Sequence, residues 1–244
     1  MSKATPQLCG LIDSVCVGSV GELDSGRRKI ESAFVKTAVQ ERVSLGPLGL
    51  TGDEHVYEDH GGPDMALLAY PKEHYDYWRS AGLNLPEAGA MAENLTTTGL
   101  VETEVCIGDV FEVGTCVVQV SETRSPCFKL AARFGRKDMA VLMQDTGYTG
   151  FLFRVLVCGE LGAGDEMKLI RRDGGHTATV AEAGRVLNVD RTDMEGAQRL
   201  FAVPSLGLLS RRTLAARLEK GVDDLGGLHV ERLFHPDDQT SSGG

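Results

Sequence analysis

The densest chemistry in the chain lies in SETRSPCFKL, residues 121–130. A β-rich run, Val117-Val118-Gln119-Val120, leads in, and Phe128 to Ala132 reads as the start of a helix. Pro126 has no N–H to donate and restricts Ser125 before it. Cys127 therefore sits just past a stiff corner, between a strand end and a helix start, with Arg124 as the cation at hand. A helix end and a nearby cation favour thiolate over thiol. A thiolate in such a place is a nucleophile or a soft metal ligand. The alternative is a buried structural cysteine beside an exposed arginine.

Three other groups have chemical potential. In His60-Gly61-Gly62 the paired glycines leave the backbone bare, so its N–H groups can face an anion, and His60 can donate or accept. The same residues also suit a plain turn with a surface histidine. Glu93-Asn94 is the polar centre of an irregular stretch, residues 83–99. There Asn can read a heterocycle and Glu can hold a base or a histidine, or the two form a turn with a solvated charge. Arg154 stands inside an apolar strand-like run, FLFRVLVC, and must be paired or face a cavity.

The whole-chain balance narrows the classes. A net charge of −10 and a pI near 5.1 argue against general nucleic-acid binding and against an anionic membrane surface. No apolar run approaches the roughly 18 residues of a membrane span, and MSKATPQLCG lacks the apolar core of a signal peptide. The expected location is cytoplasmic. Six cysteines without a C-x-x-C pair read as reduced thiols, with Cys106, Cys116 and Cys158 as small core residues, and not as a zinc site.

These side chains need elements to position them. Residues 8–20 read as one or two strands, 21–32 as a loop and 34–43 as a strand. Ala66–Tyr70 reads as a buried strand closed by Pro71, with a helix over 73–81. Val101–Val120 looks like a meander, Asp138–Gln144 like a short helix, and Phe151–Cys158 and Glu166–Ile170 like strands. From about Asp173 the spacing turns helical, with Ser210 a candidate N-cap for a helix ending near Gly221. The tail from 233 is polar and expected to be disordered. The chain divides on this reading into 1–172, a small helical domain at 173–232, and a tail at 233–244.

Taken in order, Gly52-Asp53, His60-Gly61-Gly62, Glu93-Asn94-Leu95, Ile107-Gly108-Asp109, Arg124-Ser125-Pro126-Cys127, Arg154-Val155 and Gly164-Asp165 resemble the molybdenum cofactor sulfurase C-terminal (MOSC) domain family. The nearest resemblance is to its YiiM-like subgroup, in which a three-helix domain follows. The resemblance implies a mainly β fold with α elements, a β-barrel-like domain ringed by short helices. It also implies a molybdenum–pterin cofactor (molybdopterin) bound through the Cys127 thiolate. His60, Gly61, Gly62, Arg124 and Arg154 would hold the pterin and its phosphate, and Glu93 and Asn94 would sit near pterin or substrate as catalytic groups. Two departures bear on cofactor binding. Relatives usually carry Lys where this chain has Met65, and a Phe-Gly pair where it has Met91-Ala92.

Three functions follow from this reading. The first is a molybdenum-dependent oxidoreductase that reduces N-hydroxylated small molecules. It would need an external electron-transfer protein, since no flavin, haem or iron–sulfur motif is visible. The second is a MOSC-fold enzyme without molybdenum that uses Cys127 as a nucleophile or sulfur carrier. The third is a non-catalytic cofactor-binding or delivery protein. The partners expected are a small-molecule substrate and neither nucleic acid nor membrane, with room for a homodimer.

Overall fold

The computed structural model describes residues 8–24, 29–56, 61–172 and 178–221. Among these residues thirteen strands run in chain order: β1 (Cys9–Val17), β2 (Gly21–Asp24), β3 (Lys29–Ser32), β4 (Thr37–Val39), β5 (Val43–Gly46), β6 (Gly49–Leu50), β7 (Leu67–Pro71), β8 (Leu95–Thr98), β9 (Val110–Val113), β10 (Cys116–Thr123), β11 (Phe151–Val157), β12 (Gly159–Leu161) and β13 (Glu166–Arg171). Among the described residues, six α-helices accompany them: α1 (Tyr75–Ser80), α2 (Lys129–Phe134), α3 (Met139–Thr146), α4 (Val180–Gly184), α5 (Met194–Phe201) and α6 (Leu208–Lys220). A π-helical turn, Arg185–Val189, continues α4.

Seven strands close a barrel in the order β13-β9-β10-β11-β7-β8-β1, with β1 returning to β13. Long β1 makes closure possible because it serves three partners. Cys9–Leu11 pair with β13, Leu11–Val15 with β8 and Val15–Val17 with β4, across a register shift at Ile12/Ser14. Such a shift bends a strand, which a closing barrel needs. Only β7 and β8 pair in parallel within the ring. A parallel pair demands a crossover connection, and α1 with the irregular stretch after it supplies one. Phe111, Phe151 and Phe153 fill the interior edge to face, at centroid distances of 6.1 and 5.4 Å.

The helices lie on the outside and seal two places. Tyr70, Tyr75, Trp78, Leu130, Met139 and Met143 form one apolar cluster from β7, α1, α2 and α3. Val180, Val186, Ala197, Leu200 and Leu214, from the C-terminal helical segment, join the barrel's own cluster. Backbone bonds stitch that segment down, from Val180 N to Val105 O at 2.9 Å and from Gly207 N to Ser121 O at 2.8 Å. Strand β10 is thus covered on both faces and is almost wholly buried. Among the described residues, no helix is long and apolar enough to cross a membrane.

Several expected elements differ in the structure. The segment read as a loop at 21–32 contains the β2–β3 pair, because Leu23 and Ile30 sit opposite each other and bury against the aromatic cluster. Within 34–43 only Thr37–Val39 and Val43, the first residue of β5, are strand, and within 83–99 residues Leu95–Thr98 form β8. Val101–Asp109 make turns instead of a first meander strand. Ser210 is not an N-cap: α6 starts at Leu208 after Gly207, and the Ser210 N–H and Oγ both donate to the Glu122 carboxylate. The polar tail lies outside the described residues.

Candidate functional site

Barrel and helices enclose a cavity of about 250 Å³. Its barrel side is the Cys127 corner. β10 ends at Thr123, the chain turns through Arg124-Ser125-Pro126, and Cys127 accepts the Leu130 N–H at 3.1 Å as α2 begins. Cys127 is half-buried and lines the cavity. Arg124 and Lys129 line it too, at 9 % and 7 % exposure. The Arg124 Nη1 is buried with no hydrogen-bond partner among the described residues. Burial pushes the proton affinity of both cations down, and the Cys127 sulfur acts in the opposite sense on both. A buried guanidinium lacking an acceptor, set beside a thiol, is a place for an anion and a soft metal.

The floor is a clasp around Asp53, whose carboxylate accepts from Lys36 Nζ, from the Gly18 N–H at 2.8 Å and from Asn94 Nδ2 at 2.8 Å. Asn94 Nδ2 also donates to Cys16 O at 3.3 Å, and Asn94 Oδ1 accepts the Leu68 N–H at 3.0 Å. Asn94 therefore lines the cavity with its polar atoms already used in tying β1, β7 and β8 together. His55 lines the cavity with its Nε2 at 3.9 Å from Asp53 Oδ2. Burial lowers its pKa, opposed by Asp53 and reinforced by Lys36 and Lys129, so the imidazole is neutral near neutrality.

Other expected site residues lie elsewhere. Glu93 is fully buried and does not line the cavity. Its Oε1 accepts from Tyr75 OH, the Gly89 N–H at 2.9 Å and Thr96 Oγ1 at 2.9 Å, and its Oε2 accepts from the Met91 N–H at 2.8 Å. Held by four donors and sealed from the cavity, it organises the loop and is not placed to meet a substrate. Burial pushes its pKa up, against those donors. Arg154 also stays off the cavity: its Nε meets Asp64 Oδ1 at 2.9 Å and its Nη1 meets Gln119 Oε1 at 3.2 Å. The pairing alternative holds for this arginine, because the 3₁₀ turn after Gly61-Gly62 sets Asp64 against it. Asp64 Oδ2 accepts the Leu208 N–H at 2.8 Å, so Arg154 and Asp64 fasten α6 to the barrel.

Gly61 and Gly62 do not line the cavity, and His60 lies outside the described residues. Gly62 has φ 104°, a conformation that favours glycine, and starts a 3₁₀ turn over Pro63–Met65. The turn delivers Met65 to the cavity wall. Ala92 is on the same wall at φ 65°, a left-handed conformation held by a residue with a Cβ. Both departures from the family pattern thus face the cavity. Lys36, Asp53, His55, Lys129, Arg191 and Arg217 were not singled out as site residues from sequence. Lys129, two residues past Cys127, is the legible one; Arg217 belongs to a helix whose spacing speaks only of packing, and Arg191 to the turn before α5.

A MOSC domain model matches residues 56–168. Protein YiiM of Escherichia coli (strain K12) is 39% identical over 194 residues, which is 78% of this chain and 86% of that protein. The chain belongs to the MOSC domain family. The crystal structure of YiiM from Geobacillus stearothermophilus superposes with a TM-score of 0.73 at 33% identity, covering 86% of this chain and 99% of that one. A protein of Gibberella moniliformis named as a reductase is 38% identical over 148 residues, 59% of this chain and 26% of that protein. MOSC domains are associated with the molybdenum cofactor. The residues here fit that group: a thiol for a soft metal, and Arg124 with Lys129 for an anionic pterin phosphate.

Proposed function

We propose that the cavity binds the molybdenum–pterin cofactor and that the chain is an oxidoreductase reducing N-hydroxylated small molecules. The observation that carries this reading is the company of Cys127. In a chain of net charge −10, a cavity-lining thiol stands with Arg124, buried and short of one acceptor, and with Lys129. The family membership and the reductase name of one relative support it.

Cys127 would be the metal ligand, and Arg124 and Lys129 would hold the phosphate. When bound, the cofactor supplies two-electron redox chemistry at a metal with an open position for oxygen transfer. The overall change, R–NHOH + 2 e⁻ + 2 H⁺ → R–NH₂ + H₂O, consumes two protons. His55 is the cavity's imidazole, neutral near neutrality and able to exchange a proton with a ligand. Asp53, Lys36 and Asn94 hold the floor fixed beneath the ligand, while Leu68, Leu152 and Leu187 line the cavity and limit water. The electrons would come from an external electron-transfer protein.

The test is elemental analysis of protein made in a cofactor-competent host, beside Cys127→Ala. Near-stoichiometric molybdenum that is lost in Cys127→Ala is the expected result. Absence of molybdenum and of released pterin fluorescence from both proteins would sink the proposal. One observation favours a second reading. Met65 puts an apolar group on the wall where relatives usually carry a cation, which suits a cavity turned to molybdenum-free chemistry at the Cys127 thiol, such as sulfur transfer through a persulfide.

A further inference from the structure

The C-terminal helical segment does more than pack against the barrel. It forms one wall of the cavity, with Asn188, Arg191, Thr213 and Arg217 among its lining residues. That wall touches the thiol corner directly, because Ser125, two residues before Cys127, donates its Oγ to Asn188 Oδ1 at 3.1 Å. Arg217, on α6, is 1 % exposed. Its Nη1 and Nη2 donate to Val186 O at 2.6 Å and Leu187 O at 3.0 Å, which orients the guanidinium against the π-helical turn. Its Nε is buried with no partner among the described residues.

The charge of this wall is only partly compensated: Asp190 attracts Arg217 without bonding to it. Neither Arg217 nor Arg191 makes an ion pair among the described residues, and Arg191 is near enough to repel Arg217. Asp190, the nearest acid in sequence, is taken by Arg185 at 3.2 Å. Of the carboxylates lining the cavity, Glu122 is held by Ser210 and Glu54 accepts the Val20 N–H at 2.6 Å. A buried cation without a bonded acid stays charged only against a desolvation penalty, which an arriving anion would offset. Arg124, on the barrel side, has the same deficit. One cavity therefore holds two buried guanidinium groups with unfilled donors, one from each structural layer.

The geometry points to a second anion-binding subsite, built by Arg217 with Arg191 on the helical wall, that receives an oxyanion of the small molecule entering the cavity, a phosphomonoester or a carboxylate. This rests on the cavity being an active site in which the Arg124 side serves the cofactor. The helices then select acidic substrates, and the barrel supplies the reacting centre. Arg suits that task because its planar fork matches the oxygen spacing of such groups.

The experiment uses the full chain from a host that makes no molybdenum cofactor, titrated with inorganic phosphate and with acetate by calorimetry. Phosphate is expected to occupy two sites. Arg191→Gln should weaken one of them by about tenfold or more, the loss for one charge-assisted bond, and Arg124→Gln should weaken the other. Acetate competing at the Arg191-dependent site marks a carboxylate-accepting subsite; phosphate alone binding there marks a phosphomonoester. Either result supports the subsite. Arg217→Gln should act like Arg191→Gln, and since it also frees two helix carbonyls, Arg191→Gln decides if it misfolds. Molybdenum content of Arg191→Gln from a competent host should equal that of wild type. A single phosphate site that only Arg124→Gln removes would overturn the inference. So would loss of molybdenum in Arg191→Gln, which would hand the arginine to the cofactor. Arg191-dependent phosphate binding in a wild-type chain that takes up no molybdenum would uphold the subsite while defeating the cofactor reading.

Discussion

Replacing Glu93 by Gln separates a structural carboxylate from a catalytic one. Four donors converge on this side chain: Tyr75 OH, the Gly89 N–H, Thr96 Oγ1 and the Met91 N–H. Gln keeps the shape but offers one acceptor oxygen. With that oxygen at the Oε1 position, three bonds survive as neutral ones, each weaker than its charged counterpart by about 1 kcal/mol. The Met91 N–H then faces an NH₂ group, and a buried donor without an acceptor costs about 1–3 kcal/mol. The sum, about 4–6 kcal/mol, is offset by no longer burying a carboxylate, the same burial that pushes the Glu93 pKa up. The expected net loss is about 2–3 kcal/mol, which in a chain of this size lowers the melting temperature by about 5–10 °C. Molybdenum content should fall only with the folded fraction, because Glu93 does not line the cavity. The measurements are circular-dichroism melts and metal content per folded chain. A Glu93→Gln protein that melts with wild type yet loses turnover a hundredfold would refute the structural assignment.

Three other outcomes test the site. The folded state holds His55 below its ordinary pKa by burial, so just below about pH 6.5 the unfolded chain binds more protons than the folded one. Stability should therefore fall as pH drops from about 6.5, and His55→Gln should flatten that limb in urea midpoints taken at pH 5 and 7.5; parallel curves for the two proteins would count against it. Burial pushes the Cys16 thiol up to about 12 and the Cys116 thiol up to about 11, and Cys106 is also buried and raised. Cys158 is exposed and not the core residue expected, so brief alkylation at pH 8 should label Cys9, Cys127 and Cys158 in the native cofactor-free chain and every cysteine in urea, and modification of native Cys16 would contradict the packing. Ala92→Gly should relieve the left-handed strain at φ 65° and raise stability by about 0.5–1 kcal/mol, read from denaturant midpoints; destabilisation would mean the Ala92 methyl makes contacts worth more than the strain.

The strands that close the barrel were legible where apolar runs are long or end in Gly or Pro, as at Phe151–Val157 and Leu67–Pro71. The β2–β3 pair was not, because its only core signal is Leu23 and Ile30 in a polar setting, and a pair of buried residues looks the same as chance in a loop. Strand β8 was hidden for another reason. Leu95–Thr98 is short, and its placement depends on the Asn94 clasp to Leu68 and Cys16, residues 26 and 78 positions away. A pattern confined to neighbouring residues contains neither partner.

The site divides along the same line. Cys127, Arg124 and the family motif lie within one local corner, so the chemistry of a thiol beside a cation was open to reading. Motif residues elsewhere were visible, but their roles depended on what the fold set against them. Arg154 meets Asp64, and Asp64 in turn holds the Leu208 N–H, which converts an expected phosphate ligand into the tie between barrel and α6. Glu93 meets four donors and becomes the centre of its own loop. The reverse happens at Arg217. A basic residue on a helix looks like a solvated one until the fold buries it among backbone carbonyls with Nε left over. A residue type at a motif position thus leaves its role open until its partners are known, while the unfilled donors of Arg124 and Arg217 are where the proposed ligands would bond.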